Sequence, residues 1–288
     1  MRILIGMAAV GLVLSAGAAN TWWVDDDNYG LSGLDGKSEQ TAYGTIQDAL
    51  NDADFAAGDT VKVLPGVYDR DGTVRSGVTN RVVITNKCTI VSTGGKEVTH
   101  IVGKHDATAN GTGPAAVRCI VCTVSEARIE GFTIRDGAAA GGTADVSDNH
   151  GGAFLGYGRK NLIVDCVISN CVSGRAAGQN GGTSIRCEFS RNRGITSGSH
   201  LQDGVSYNSY FHDALSPSDY IYHVYNSTVY NCRVDCQANN CTAYNSFIRT
   251  DRANSKLYYS IVATKAGNTV LGTGSYNISA DNAKVDEN

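Results

Sequence analysis

Four residues in the middle of the chain, at odd-numbered places of two successive six-residue segments, carry side chains that could do acid–base chemistry. Arg186 and Glu188 lie in the segment RCEFSR, and Tyr210 and His212 lie in the segment NSYFHD. In a lyase reaction a tyrosine or a histidine can remove a proton from carbon, and an arginine can neutralise a neighbouring carboxylate. We therefore treat these four residues as candidate catalytic residues, and a fold that serves this chemistry must bring them onto one surface.

Amide and tyrosine side chains occupy similar places in the neighbouring segments. Aromatic rings stack on the faces of sugars and amides bond to hydroxyl groups, so this set suits the binding of a carbohydrate chain. The open alternative is an ordinary solvated surface, because outward residues of a strand are polar in any case and tyrosine is a favoured strand residue. The candidate substrate-binding residues are Asn208, Asn226, Tyr230 and Tyr244.

These residues belong to a sequence repeat with a period near twenty residues, which is typical of a solenoid. Each repeat has a small or sulfur-bearing residue in its second place, an apolar residue in its fourth place and, in most cases, Asp or Asn at its end. The repeated segments are GFTIRD (131–136), DCVISN (165–170), RCEFSR (186–191), NSYFHD (208–213), NSTVYN (226–231), NCTAYN (240–245) and YSIVAT (259–264).

Apolar and polar residues alternate within each segment, which predicts strands and not helices. Short strands joined by turns rich in Gly, Asn and Ser predict an all-β fold, a right-handed parallel β-helix whose second and fourth places point inward. Asn and Asp tolerate the left-handed backbone of a tight turn, and stacked amides can bond from coil to coil. Because neighbouring coils lie about 4.8 Å apart, Glu188, Tyr210 and His212 are expected to share one outer surface.

The N-terminal region predicts an export signal and a capping helix. Residues 1–18 combine one positive charge, an apolar run and an Ala-x-Ala cleavage site, as a secretory signal peptide does. Residues 19–288 are predicted to form a single domain, which begins with a short helix at about 45–54 capped by Thr45. The last residues, 276–286, predict an incomplete or weakly capped final coil, which would permit end-to-end self-association.

Several stretches resemble the secreted bacterial parallel β-helix proteins of the pectin-lyase-like superfamily. The resemblance lies in TIQDAL, GDTVKVLPGVY, CTIVSTGG and ARIEGFTIRDG, and later in LIVDCVISNC and GGTSIRCEFSRN. It covers roughly residues 24–282 and implies the fold, but it does not fix the chemistry, because the superfamily contains lyases, hydrolases and non-catalytic surface proteins. The chain also lacks a Gly-His-Gly motif, and its adjacent aspartates, Asp25 to Asp27, precede the predicted cap helix and are not placed on a central coil like the acids of a polygalacturonase.

Composition excludes some functions and leaves others open. The net charge of −4, without a basic block, gives no support for nucleic-acid binding, and no stretch after the signal is long and apolar enough for membrane insertion. The spacing of Cys119 and Cys122 resembles a metal or redox motif, but residues three apart on a strand point to opposite faces, so cysteine is expected to fill the core. Asp145 and Asp148 are candidate ligands for calcium, which is the one cofactor considered.

The sequence therefore predicts a protein that is secreted, periplasmic or attached to the cell surface and that recognises an extracellular polysaccharide. Activity as a polysaccharide lyase or hydrolase is left open. The alternative is a non-catalytic structural or adhesive solenoid of the cell surface.

Overall fold

The computed structural model is a parallel β-helix, which confirms the predicted fold class. It describes residues 19–141, 149–216 and 223–230, and beyond residue 230 it describes only the backbone of short strands. The described residues contain one short α-helix, Ile46–Asn51, and 3-10 turns at Asp26–Asn28, Glu39–Thr41 and Ala109–Gly111.

Two long sheets form two walls of the helix. Sheet A consists of Thr21–Val24, Thr60–Val63, Thr89–Ser92, Arg128–Glu130, Leu162–Val164, Thr183–Ile185, Val205–Tyr207, His223–Tyr225 and Gln237–Asn239. Sheet B consists of Gly66–Tyr68, Thr99–Val102, Thr133–Arg135, Val167–Ser169, Glu188–Ser190, Tyr210–His212, Thr228–Tyr230, Thr242–Tyr244, Ile261–Val262, Asn277–Ser279 and Lys284–Asp286.

A third sheet closes the cross-section. Sheet C consists of Thr73–Arg75, Val78–Ile84, Val117–Cys122, Phe154–Gly156, Gln179–Asn180 and Leu201–Gln202. Two further pairs are smaller, namely Val172–Arg175 with Arg193–Ser197 and Arg233–Val234 with Phe247–Ile248. Each central coil visits sheet C, then sheet A, then sheet B, and the next coil repeats this order one strand further along every sheet.

The inward residues form columns along the helix, as the repeat predicts. In sheet B the fourth place of each segment pairs with the fourth place of the next, and the described side chains of this column are buried. The two phenylalanine rings, Phe189 and Phe211, stack with centroids 4.7 Å apart. The column runs through Ile101, Ile134, Ile168, Phe189, Phe211 and Val229, and its backbone register continues to Ala243 and Val262.

The ends of the repeated segments adopt the left-handed backbone expected of Asp and Asn. Asp136 and Asn170 have φ of 58° and 51°, and the Asn170 amide donates a 2.6 Å hydrogen bond to the Asp136 carboxylate in the preceding coil. One residue later in the next repeat, the fully buried Asn192 donates to the carbonyl of Ile168 and accepts from the N–H of Cys171, at 3.0 Å each. The expected coil-to-coil amide bonds are therefore present.

The first strands of all three sheets have partners on their outer edges. Residues 36–43 bond to the backbone of Thr21–Val24, and the carboxylate of Asp26 accepts from the N–H of Val67 at 2.8 Å. In sheet C the antiparallel strand Thr73–Arg75 covers Val78–Ile84. An open strand edge invites pairing with another chain, so these contacts protect the N-terminal end from aggregation.

The α-helix is shorter than the predicted 45–54. It spans Ile46–Asn51, and the expected N-cap is present, because the Thr45 hydroxyl accepts from the N–H of Asp48. The helix ends where Asp52 leaves the helical backbone and its carboxylate accepts bonds from the Tyr43 hydroxyl and from the N–H of Asp54. Its buried face packs into the first coils, and its role as a cap stays a prediction.

The inward column predicts unequal effects of two substitutions on stability. Phe189→Ala should lower the free energy of unfolding by about 3–5 kcal/mol, because it removes a buried ring from the stack with Phe211. Thr228→Ala, on the outer face of sheet B, should change it by less than about 0.5 kcal/mol. Chemical denaturation of the two variants measures both values, and equal effects would contradict this assignment of inward and outward faces.

The buried carboxylate of Asp59 predicts an acid-sensitive first coil. Burial acts to raise the pKa of Asp59, but three donors outweigh it and lower that pKa: the N–H groups of Ala56 and Asn20 and the indole of Trp22. A lowered pKa stabilises the fold above the unfolded value of about 3.9, and this stability is lost as the pH falls through the folded value.

Asp59→Asn should therefore cost about 1–3 kcal/mol at neutral pH, because an amide cannot accept from all three donors. It should also reduce the fall in stability between about pH 5 and pH 2. Asp54→Asn serves as the control, since that carboxylate is exposed and should be neutral within about 0.5 kcal/mol. Denaturation curves at several pH values measure this. If the free energy of unfolding falls as much on acidification in Asp59→Asn as in the unmodified protein, the prediction is wrong.

Candidate functional site

A cleft of about 370 Å³ lies on the outer surface where sheet A turns into sheet B. It contains three of the four predicted catalytic residues, Arg186, Glu188 and Tyr210, and two of the predicted binding residues, Asn208 and Asn226. The remaining residues that line it are Lys96, Cys187, Ser209 and Thr228. The repeat thus brings most of the predicted site to one place.

Three of the cleft residues lie at corners of the coil, which corrects their predicted place on the strand face. Arg186, Asn208 and Asn226 have φ of 55°, 51° and 49° and precede their strands of sheet B by two residues. The chain must change direction within two residues between the sheets, and one residue in the left-handed region makes that turn. The side chains of Asn208 and Asn226 are exposed.

Glu188, Tyr210 and His212 lie on one outer face, as predicted. Glu188 pairs with Tyr210 across neighbouring coils, and Ser190 pairs with His212. The His212 Nε2 atom lies 3.1 Å from the Oε1 atom of Glu188, and its Nδ1 atom lies 3.0 Å from the Oδ2 atom of Asp213. Two coils are therefore joined on this face by a carboxylate–imidazole–carboxylate chain.

The imidazole of His212 is held from three directions. A carboxylate is an acceptor, so both contacts are complete when both ring nitrogens carry protons. The ring of Tyr210 also stacks on His212 with centroids 4.5 Å apart and planes inclined by 17°. Tyr210 is 38% exposed, whereas the His212 side chain is only 20% exposed, so the tyrosine is the more accessible of the two.

Arg186 already has a carboxylate partner. Its Nε atom donates to the Oδ1 atom of Asp165 at 2.8 Å, and a second guanidinium nitrogen donates to the other carboxylate oxygen. The hydrogen bond from Arg186 lowers the pKa of Asp165, and burial opposes this only in part. In the cleft Arg186 is therefore held by Asp165 through two of its three guanidinium nitrogens, and the third, Nη1, has no partner among the described residues.

Lys96 was not identified from the sequence. It lies in the loop between Thr89–Ser92 and Thr99–Val102, and it reaches the cleft from there. It has no ion pair with any residue that the structure describes, and its charge helps to lower the pKa of Asp165. No local sequence pattern distinguishes Lys96, because its place in the cleft depends on how far the loop after Thr89–Ser92 reaches along the β-helix.

The two other predicted binding residues continue the face beyond His212. Tyr230 pairs with His212 in the next coil and is 42% exposed, but it does not line the cleft. The backbone of Tyr244 pairs with Tyr230, and its side chain lies outside the described residues.

The weaker metal candidates add nothing to this face. Asp145 and Asp148 lie outside the described residues, so the calcium prediction is untested. Cys119 and Cys122 are fully buried with the apolar core, as expected of filling residues. In the described ranges no group of three or more His, Cys, Asp or Glu side chains is arranged to hold a metal ion. Over the same ranges no helix has the length and apolarity that crossing a membrane requires.

Comparison with solved structures finds pectin methylesterases. PemA from Erwinia chrysanthemi is 11% identical with a TM-score of 0.45, over 94% of this chain and 92% of that chain. The carrot enzyme is 14% identical with a TM-score of 0.33, over 92% of this chain and 73% of that chain. These TM-scores all lie below 0.5, so the parallel β-helix is established by the chain's own sheet topology and not by these likenesses.

The likeness extends to other chains but not to sequence families. Escherichia coli YbhC is 14% identical with a TM-score of 0.40, over 99% of this chain and 84% of that chain. No protein-family model matches the chain, and no curated protein matches its sequence. Any function of this β-helix must therefore be argued from its own cleft.

Proposed function

We propose that the cleft at the corner of sheets A and B binds an extracellular polysaccharide that carries acidic groups. The observation that supports this most is that five residues selected for carbohydrate chemistry, Arg186, Glu188, Asn208, Tyr210 and Asn226, line one cleft. The cleft is open and not enclosed, which suits a polymer better than a small buried ligand.

Each part of the cleft would contribute a different contact. The amides of Asn208 and Asn226 are exposed and have no hydrogen-bond partner among the described residues, so they can bond to sugar hydroxyls. The accessible part of the Tyr210 ring can stack on a sugar face. Lys96 supplies a cation that no described carboxylate pairs with, which favours a glycan with carboxylate or sulfate groups.

Export would bring this face into contact with its ligand. Residues 1–18 have the composition of a secretory signal but lie outside the described residues. We therefore include secretion, to the periplasm, the cell surface or the medium, as part of the proposal.

A second candidate function is proton transfer on the bound glycan, as in a polysaccharide lyase or hydrolase. The contact between His212 and Glu188 favours it, because it orients an imidazole beside the cleft. Tyr210 or His212 would then act as the base that removes a proton from the sugar, and Tyr210 is the more accessible of the two. In that reaction Arg186 would help to neutralise the substrate carboxylate through Nη1, the guanidinium nitrogen that Asp165 does not engage.

Binding can be tested by calorimetry with acidic and neutral oligosaccharides. Tyr210→Ala should weaken binding by roughly threefold to tenfold, because one ring–sugar contact is lost, and should leave the melting temperature nearly unchanged. Tyr157→Ala is the matched control, since this tyrosine is 49% exposed and lies away from the cleft. Absence of any binding, or an equal loss in the control, would contradict the proposed function.

Catalysis can be tested on the same glycans by unsaturated-uronide absorbance and by new reducing ends. If the second function holds, His212→Ala and Tyr210→Phe should lower turnover by about 10²–10⁴-fold while they change binding far less. Tyr230→Phe, which removes a hydroxyl from the neighbouring coil, should leave turnover unchanged. Binding without turnover in the unmodified protein would leave recognition as the function and would reject the enzymatic one.

A further inference from the structure

The strand Glu188–Ser190 is bounded by arginines where the other coils have turn-forming residues. Both corner residues have left-handed backbone, with φ of 55° at Arg186 and 50° at Arg191. In the described coils the equivalent left-handed corners are Gly131 and Asp136, Asp165 and Asn170, Asn208 and Asp213, and Asn226.

Arginine is a poor residue for this conformation. Its Cβ atom approaches the following carbonyl oxygen, whereas Gly avoids the clash and Asn or Asp offsets it with local hydrogen bonds. Arg186 and Arg191 flank one strand, and both depart from the Gly, Asn and Asp residues that occupy the equivalent corners of the other described coils. Backbone strain of this kind is characteristic of functional sites, where the side chain is kept for what it binds.

No contact within the fold explains Arg191. Its side chain is exposed and makes neither an ion pair nor a hydrogen bond with any described residue. Arg186 has a partner in Asp165, yet it also lines the cleft. The strand between these arginines carries Glu188, which contacts His212 in the next coil, so both corners border the proposed binding face.

We propose that an acidic glycan lies along the strand Glu188–Ser190, from the Arg186 corner to the Arg191 corner, and that both guanidinium groups bind its acidic groups. This inference rests on the proposed function and adds a direction and a second anionic subsite at Arg191. The two corners lie roughly 16 Å apart, since a strand rises about 3.3 Å per residue. A guanidinium binds carboxylates and sulfates through paired N–H groups, so both classes of acidic glycan fit the chemistry.

Arg191→Asn separates binding from stability, because the two effects have opposite directions. Asn tolerates the left-handed corner, so the melting temperature should rise by about 2–4 °C. Affinity for an acidic oligosaccharide should fall by roughly tenfold or more with the loss of a charge-assisted contact, and affinity for a neutral one should stay the same. Separate titrations with an oligouronate and with a sulfated oligosaccharide identify which acidic group the subsite takes.

Two further variants serve as controls. Arg191→Lys keeps the cation and the strained corner, so it should retain most of the affinity and should not raise the melting temperature. Arg159→Asn removes the same charge from an exposed position outside the cleft and should leave acidic-glycan binding unchanged.

Three results would overturn the inference, and a different result concerns the proposed function. If the unmodified protein binds acidic glycans and Arg191→Asn binds them equally well, the second subsite does not exist. A fall in the melting temperature of Arg191→Asn would assign Arg191 a structural role, and an equal loss of binding in Arg159→Asn would reduce the effect to net charge. If the unmodified protein binds no glycan of any class, the proposed function fails first.

Discussion

The in-register stacking of each parallel coil on the preceding one is the constraint on which the rest of the structure depends. Inward residues of sheet B meet their equivalents in every coil, from Ile101 through Phe189 and Phe211 to Val229. A shift of one residue in any strand would exchange its inward and outward side chains and would place polar groups in the core. The buried column therefore fixes the register of the whole wall, including the face that solvent reaches.

The candidate site is a direct consequence of that register. Because Phe189 stacks on Phe211, Glu188 must pair with Tyr210 and Ser190 with His212, and the carboxylate of Glu188 comes within 3.1 Å of the imidazole. The left-handed corners have the same origin, since every coil must turn from sheet A to sheet B at an equivalent residue. A corner occupied by arginine is therefore a departure from a rule that the fold itself imposes, and this departure points to a ligand.

The period-two alternation and the repeat predicted the fold, the inward column and the shared face of Glu188, Tyr210 and His212. The corner position of Arg186 could not be predicted, because the first residue of each segment reads equally well as the start of a strand or as the turn before it. Lys96 was missed because it reaches the cleft from a distant loop, and sequence spacing carries no information about that reach. The helix end at Asn51 depends on the bonds that the Asp52 carboxylate makes with Tyr43 and Asp54, and only the folded chain shows them.

The outer face of sheet B, and not another wall of the β-helix, is where the proposed glycan would lie. A crystal structure of the protein with a bound acidic oligosaccharide measures this directly. We expect sugar density along the strand Glu188–Ser190, with acidic groups at the Arg186 and Arg191 corners and a sugar ring against Tyr210. Density on the outer face of sheet A or sheet C, with an empty cleft at Arg186, would contradict it.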